Sequence, residues 1–496
     1  MSTSEKHSGS SSSINGRKPG SIKHIEAASV DVPLAQDDIN LDEIYSPKDQ
    51  RRIIRRVDRR LIPVLGGLYI ISMVDRLNIS AAAVSGLNED LNLQVGTRYS
   101  VVVLTFFVTY TVFQPLGTIL TRNVGPRWFL GSITLVWGAV IIAIGFVKTW
   151  GTLAGLRALV GIFEAGYFPG AAYLLSTWYV RFDMQKRYVG LYGIGCVVGS
   201  FGGILAYGLS QMDGVGGLRG WRWIFIIEGT ISCVASLVSY LYLVGFPEEA
   251  HRSWNFLNKE ECDFVIRRLN RDRADAITEH FSLRAFLEPA KDWKIWVFAL
   301  MNFCVTTVGN SINFFLPLIL VGMGFSAAQA QCLTVPPWVF TGFCMYGQAW
   351  LGDRYRLRGP IIAFNAVLSS VGLALMAFHP TTGVRFFGVF LVVAGSSGNV
   401  PPVLTYQANN IRGHWKRALC SATLVGSGGI GGIAAALLFR SQDSPKYLPG
   451  IYASLACNAC LLICTASMSV WFWYANKRVK RGQIVLEGLE GFTYTL

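Results

Sequence analysis

The sequence predicts an all-α membrane protein, twelve transmembrane helices in two pseudo-symmetric halves of six. Three observations carry that expectation. First, 52% of the 496 residues are hydrophobic and only 15% charged, with a mean hydropathy of +0.40, too apolar for a soluble domain of this size. Second, the chain contains twelve apolar runs near the roughly 20 residues that cross a bilayer. They lie near 61–83, 99–120, 128–148, 152–178, 188–210 and 221–244, then 294–320, 333–351, 360–378, 385–409, 418–439 and 450–475. Third, Gly166, Pro169 and Tyr173 of the fourth run recur nearly in register as Gly398, Pro401 and Tyr406 of the tenth, the first two pairs 232 residues apart. Arg122, after the second run, and Arg354, after the eighth, share that offset. Two loci with one offset point to two six-helix halves related by duplication, an architecture associated with alternating access.

Taken in order, residues 1–50 are Ser-rich and polar, with too little apolar surface to order a core, and read as a disordered tail. They lack the apolar stretch of a cleavable leader, so the first span is expected to act as targeting signal and remain in place. The first half then occupies 51–244 and the second 293–476. Residues 245–292 form a charged linker in which Asn258 and Glu261 have the spacing of a capping box, followed by the amphipathic pattern Phe264, Val265, Ile266, Leu269. A tail at 477–496 closes the chain.

The net charge of +14 is distributed by topology. Near the span ends, 21 Lys and Arg fall on the side of the termini and 7 on the other. The positive-inside rule therefore places both termini and the linker in the cytoplasm, and nucleic-acid binding is not expected. The ten cysteines fall in or beside spans except Cys262, which indicates no disulfide framework. Cys457, Cys460 and Cys464 imitate metal-ligand spacing, but their apolar helix without histidine points to packing thiols.

Four charges stand inside this apolar background. Asp75 and Arg76 lie deep in the first span, GLYIISMVDRLNIS, and Arg157 and Glu164 interrupt RALVGIFEAGYFPG in the fourth. Each costs ~2.5–3.5 kcal/mol at mid-membrane, about 10 kcal/mol together, unless it faces water or a partner. Seven residues advance a helix by almost two turns, so Arg157 and Glu164 share a face and can address one cavity. One reading makes these residues buried ion pairs that lock helices, although such pairs are often no more stabilising than apolar replacements. In the other half, the positions 232 residues on are Thr307, Val308, Val389 and Ser396, an asymmetry that favours a functional reading. Arginine keeps its charge and offers a planar fork matching a carboxylate, so Arg76 and Arg157 are candidate anion-binding groups. Asp75 and Glu164 are candidate proton carriers, because an acid beside a removable arginine gains a proton when that arginine is taken away.

Asp75-Arg76-Leu77-Asn78-Ile79, Gly125-Pro126-Arg127, RALVGIFEAGYFPG, the run Gly220-Trp221-Arg222-Trp223 through Glu228-Gly229, and Asn409-Asn410 with Gly413 and Lys416-Arg417 together resemble the anion:cation symporter family of the major facilitator superfamily. Within it the chain is most similar, over about residues 50–480, to the fungal allantoate permease group, which includes carriers resembling nicotinate and pantothenate transporters. The resemblance implies that Asp75, Arg76, Arg157 and Glu164 form the proton-coupling and anion-binding core. Some relatives carry an arginine in the seventh helix where this chain has Val305. Arg122 and Arg127, with Asp353, Arg354 and Arg358, follow the superfamily's gating-loop pattern, with Thr121 where the first loop usually has Asp.

Uncharged polar contacts would come from the second half. Asn302, Thr306, Asn310 and Asn313 form one stripe of the seventh helix, with Asn399 and Gln407 of the tenth as partners. Such stripes can equally join helices. GSGGIGG at 426–432 has dinucleotide-like spacing but follows no strand and suits close helix packing. The six histidines are scattered, and no nucleophile elbow, phosphate loop or HExxH occurs. The sequence thus predicts no enzyme and no cofactor, the proton serving as coupling ion. It predicts a monomer in the lipid bilayer of the plasma membrane carrying a small organic anion by symport. An exporter of an anionic metabolite and a receptor that binds without transport are the alternatives.

Overall fold

The computed structural model describes residues 45–180, 187, 193–195, 198, 199, 201–254, 256–274, 284, 287–355, 357–412, 414–439, 443, 446–487 and 492–495. Pro47–Leu496 forms one compact unit.

The spans are α1 (Pro47–Ala82), α2 (Arg98–Val124), α3 (Pro126–Ile144), α4 (Trp150–Trp178), α5 (Gly202–Ser210 as described) and α6 (Gly220–Tyr242) in the first half. The second half has α7 (Trp293–Gly322), α8 (Val335–Tyr355), α9 (Gly359–Phe378), α10 (Thr382–Asn410), α11 (His414–Leu438) and α12 (Leu448–Lys480). Among the described residues, ten helices are long and apolar enough to cross a membrane; α8 and the described part of α5 complete the twelve. Much of the expected fifth run, 188–210, lies outside the described residues.

Several helices depart from simple spans. The first begins well before its apolar run. Ile53, Ile54, Val57, Leu61, Leu65 and Leu68 make a buried stripe with helical period, so packing extends α1 through the basic segment. At its other end a π-helical turn, Ala83–Leu87, closes α1, with Gly86 at φ 108°, a conformation that only glycine adopts without strain. The fourth span stops at Glu164 and resumes at Tyr167, and the tenth stops at Gly398 and resumes at Val400. Pro169, and Pro401 with Pro402, offer no N–H to the carbonyls four residues earlier, so each helix breaks at the same point of the repeat. Glu164 thus sits at a helix break.

The glycine-rich run of α11 packs helices, as its setting predicts. A Cβ on Gly431 would lie 2.2 Å from Thr306 Oγ1 of α7, and one on Gly432 would lie 2.3 Å from the Phe107 ring of α2. Cys304, Cys457, Cys460 and Cys464 belong to the apolar core of the second half.

Between the halves, Lys259–Ala274 is helical, and Phe264, Val265 and Leu269 are buried. Asn258 N–H donates to Glu261 Oε2 at 3.0 Å, completing one arm of the predicted box. The C-terminal tail is folded against the second half. Asn476 and Tyr494 exchange two hydrogen bonds of 2.8 and 2.7 Å, Thr495 N–H donates to Asn410 at 2.7 Å, and the Tyr494 and Phe472 rings stack at 4.3 Å. Glu487 accepts from Lys416 at 2.7 Å and from Lys294.

Candidate functional site

The charged residues of α1 and α4 meet, though not in the pairs their order along the chain suggests. Adjacent helical residues point about 100° apart, so Asp75 and Arg76 face different neighbours. Arg76 turns toward α4 and donates from Nε (3.1 Å) and Nη2 (2.5 Å) to Glu164 Oε1. Ser72, one turn earlier, donates to the same oxygen at 2.7 Å. The other oxygen of Glu164, Oε2, is buried and has no hydrogen-bond partner among the described residues. The carboxylate is 1% exposed and the Arg76 side chain 18%, so the arginine is the member of the pair that reaches solvent.

Arg157 occupies the same face of α4, nearly two turns earlier, and is buried at 2% exposure. Its Nη2 makes a long 3.5 Å contact with Arg76 O, and its Nε has no hydrogen-bond partner among the described residues. Phe106 lies between the two guanidinium groups, 5.5 Å from Arg76 and 5.9 Å from Arg157, and Tyr110 lies 5.0 Å from Arg76. Aromatic faces favour a cation without neutralising it. Glu164 thus pairs with Arg76 alone, and Arg157 keeps hydrogen-bond donors unengaged among the described residues.

Asp75 lies in the interior of the first half. Its Oδ2 accepts from Ser232 Oγ of α6 at 2.6 Å and Trp137 Nε1 of α3 at 3.1 Å, and it is 1% exposed. It belongs to the helix packing around the site and does not line the cavity in this structure.

A cavity opens beside Arg76. Arg76, Tyr69 and Met73 of α1 contribute one wall; Thr306, Asn310 and Asn313 of α7 contribute the facing wall, with Val305, Phe314, Trp338 and Ser397 around them. The polar stripe of α7 is thus divided. Asn302 donates to Leu424 O at 2.8 Å and joins α7 to α11, whereas Thr306, Asn310 and Asn313 face the cavity. Asn399 is buried at the break in α10, with Oδ1 unbonded among the described residues. Gln407 is buried lower in α10. Sequence reasoning missed the aromatic lining, Tyr69, Phe314 and Trp338, because aromatics in apolar spans carry no distinguishing pattern. It also left Glu228 without a role.

The two halves are joined on the side away from the termini. Tyr99 OH donates to Phe314 O at 3.1 Å, Ser100 Oγ to Phe439 O at 3.5 Å, and Gln331 Nε2 to Ala81 O at 3.0 Å and Ser85 Oγ at 2.6 Å. On the terminal side the expected gating residues contact their own half. Arg127 donates to Tyr240 O at 2.5 Å, and Arg354 lies over Trp350 at 5.3 Å. Arg122 is exposed and Arg358 partly buried; the Asp353 side chain lies outside the described residues. Thr121, in the place of an acid, is fully buried and bonds Gly117 O at 2.7 Å.

Twelve helices in two halves, with a largely apolar cavity between them that carries Arg76 on one wall and amides on the other, are the architecture of a membrane transporter. The chain matches the Major Facilitator Superfamily over residues 65–436 and belongs to that family. It is 32% identical to the high-affinity nicotinic acid transporter of Saccharomyces cerevisiae, covering 90% of this chain and 82% of that protein. It is 29% identical to the major facilitator-type transporter hxnP of Emericella nidulans, covering 88% of each. Solved structures share the fold at low identity. A bacterial homologue of the human lysosomal transporter Spinster, inward-facing and occupied, superimposes with TM-score 0.62 at 14% identity, over 82% of this chain and 94% of that one. The Escherichia coli xylose transporter XylE, partially occluded and inward open, gives 0.60 at 15% identity over 82% and 98%.

Proposed function

We propose that the protein is a proton-coupled symporter of a small organic anion, with a planar monocarboxylate such as nicotinate as the substrate class that fits best. The observation that carries this reading is the Arg76–Glu164 pair, whose arginine faces the cavity while its carboxylate is buried. A substrate carboxylate entering the cavity competes with Glu164 for the Arg76 fork. Once released, Glu164 is a buried carboxylate without its cation, a state that desolvation disfavours. Uptake of a proton on the unengaged oxygen relieves it. Anion and proton then occupy the site together, and each favours the other by the same coupling energy.

Val305, where relatives carry a further arginine, leaves Arg76 as the cation among the cavity-lining residues and supports a substrate with one negative group. Tyr69, Phe314 and Trp338 offer faces for a flat ring, and Asn310 and Asn313 supply hydrogen bonds. The relation to a nicotinic acid transporter agrees with this chemistry. The basic excess on the terminal side supports cytoplasmic termini, so the contacts joining the halves are read as a closed outer side and the cavity as facing inward. A monomer in the plasma membrane completes the reading.

The test is uptake of labelled nicotinate and a panel of mono- and dicarboxylates by yeast cells lacking their own carrier. Accumulation that rises as external pH falls, with monocarboxylates competing and dicarboxylates not, is expected. Outward flux alone identifies an exporter, and saturable binding without flux identifies a receptor.

A further inference from the structure

A second group of unsatisfied polar side chains lies away from the Arg76–Glu164 pair, and apart from Asn313, which also faces the substrate cavity, the coupling scheme above does not use it. Glu228 of α6 is 2% exposed, and neither of its carboxylate oxygens has a hydrogen-bond partner among the described residues. Asn78 of α1, 3% exposed, is its polar neighbour, near enough to interact but outside hydrogen-bond geometry, and both its amide atoms lack a well-formed bond among the described residues. Glu228 and Asn78 line a chamber between the halves with Asn313 of α7 and Gln331 before α8, each with its side-chain oxygen unbonded. Six buried polar atoms without a protein partner among the described residues gather around one chamber, and each such group calls for a water, ion or functional role.

The groups have an order. Glu228 and Ser232 are one turn apart on α6, and Asn78 and Asp75 one turn apart on α1. Ser232 bonds Asp75, and Asp75 lies within electrostatic reach of both Glu228 and Glu164. Glu228 sits toward the start of α6, on the side away from the termini, and Glu164 lies beyond Asp75. Three carboxyl groups thus form a series from the closed side of the molecule to the substrate cavity.

Among the described residues, the elements packed against Glu228 bring it no cationic partner. From α1 the titratable group facing it is Asp75. The charged residue of α3 is Arg127, bonded to Tyr240 O at the opposite end of the helix. The described part of α5 contributes Tyr207 and no charge. Burying a carboxylate without a cationic partner is costly.

We propose that Glu228 is a further proton-binding group of the transporter, seated in a water-filled chamber that delivers protons from the outer side to Asp75 and Glu164. The chamber suits water better than a bare cation, because it turns the Asn78 amide donor inward along with its oxygens, and water satisfies both. This inference rests on the proton-coupled reading of the cavity.

The experiment uses the full-length protein in proteoliposomes with an interior pH dye and labelled nicotinate, comparing wild type, E228Q and N78L. Glutamine preserves the shape of the neutral acid. The expected result is that E228Q loses at least tenfold in proton-driven accumulation, that counterflow exchange falls much less, and that N78L shifts the pH dependence. E228Q with wild-type accumulation and pH profile would overturn the proposal, as would dependence on sodium that E228Q abolishes, which would make the chamber a cation site. If E228Q does not fold, the infrared band of a buried protonated carboxyl in the inward-facing wild type, displaced in E228D, decides the matter; its absence overturns the proposal. A wild type that moves nicotinate without protons would refute the symport reading instead, a distinct outcome.

Discussion

At the residue scale the site rests on which way four charged side chains point. Arg76 and Glu164 pair across α1 and α4, so replacing the fork by an ammonium keeps the charge but loses the two-pronged contact. R76K is expected to weaken nicotinate binding at least about tenfold, near the roughly 1.5–3 kcal/mol of a charge-assisted hydrogen bond; a scintillation proximity titration reads it. The charges themselves were legible in the sequence, since ionised residues amid apolar runs stand out. Their partners were not. Arg157 and Glu164 share a face, as spacing implied, yet Glu164 bonds Arg76, because the relative height of α1 and α4 is set by packing between segments distant in sequence. The turn of Asp75 away from Arg76 follows from the helical step once the neighbours are known. Glu228 stood inside a quoted motif as a lone acid in an apolar span, and the same insertion-cost argument applied to Asp75 would have singled it out.

At the element scale, small residues and prolines govern how the helices approach and bend. The matched breaks in α4 and α10 were foreshadowed by the repeated Gly and Pro positions. The docked C-terminal tail was not, because its anchors, Phe492 and Tyr494, are two aromatics in a short polar segment. Gly431→Val would drive a side chain into Thr306 and the Phe303 carbonyl, which stand 2.2 and 2.9 Å from a built Cβ. Overpacking costs about 1–3 kcal/mol, so a lower Tm in detergent is expected. The tail yields a pH prediction. Burial pushes the Glu487 carboxyl up, but hydrogen bonds from Lys294 and Lys416 outweigh it and hold it below the usual range; Asp292 is likewise held down, by Lys416 and Lys294. A depressed folded value means that the stabilisation is complete above the unfolded carboxylate range of about 4 and is lost as pH falls through the folded values. Protease cleavage within 481–495 should therefore be slow at neutral pH and accelerate only in strongly acidic buffer, and E487Q should accelerate it at neutral pH.

At the scale of the whole molecule, the halves are fastened on one side and must exchange that fastening for another during transport. The Ser85 and Gln331 side chains touch across the fastened side at 2.6 Å. With the native thiols replaced, S85C/Q331C should crosslink under mild oxidation, reduce uptake to under a tenth, and recover with reductant; a crosslinked protein that still transports would mean the halves do not separate there. The two-half architecture was legible from span count and repeat offset. The side on which the halves meet was not, since one sequence encodes every state of the cycle.

The central claim is that Glu164 carries the proton which accompanies the anion held by Arg76. Its most direct measurement records internal acidification and labelled nicotinate together in proteoliposomes holding wild type or E164Q. The account predicts that nicotinate acidifies wild-type vesicles in fixed proportion to the substrate taken up, and that E164Q neither acidifies nor accumulates against a gradient. Equal acidification per substrate in E164Q would contradict it.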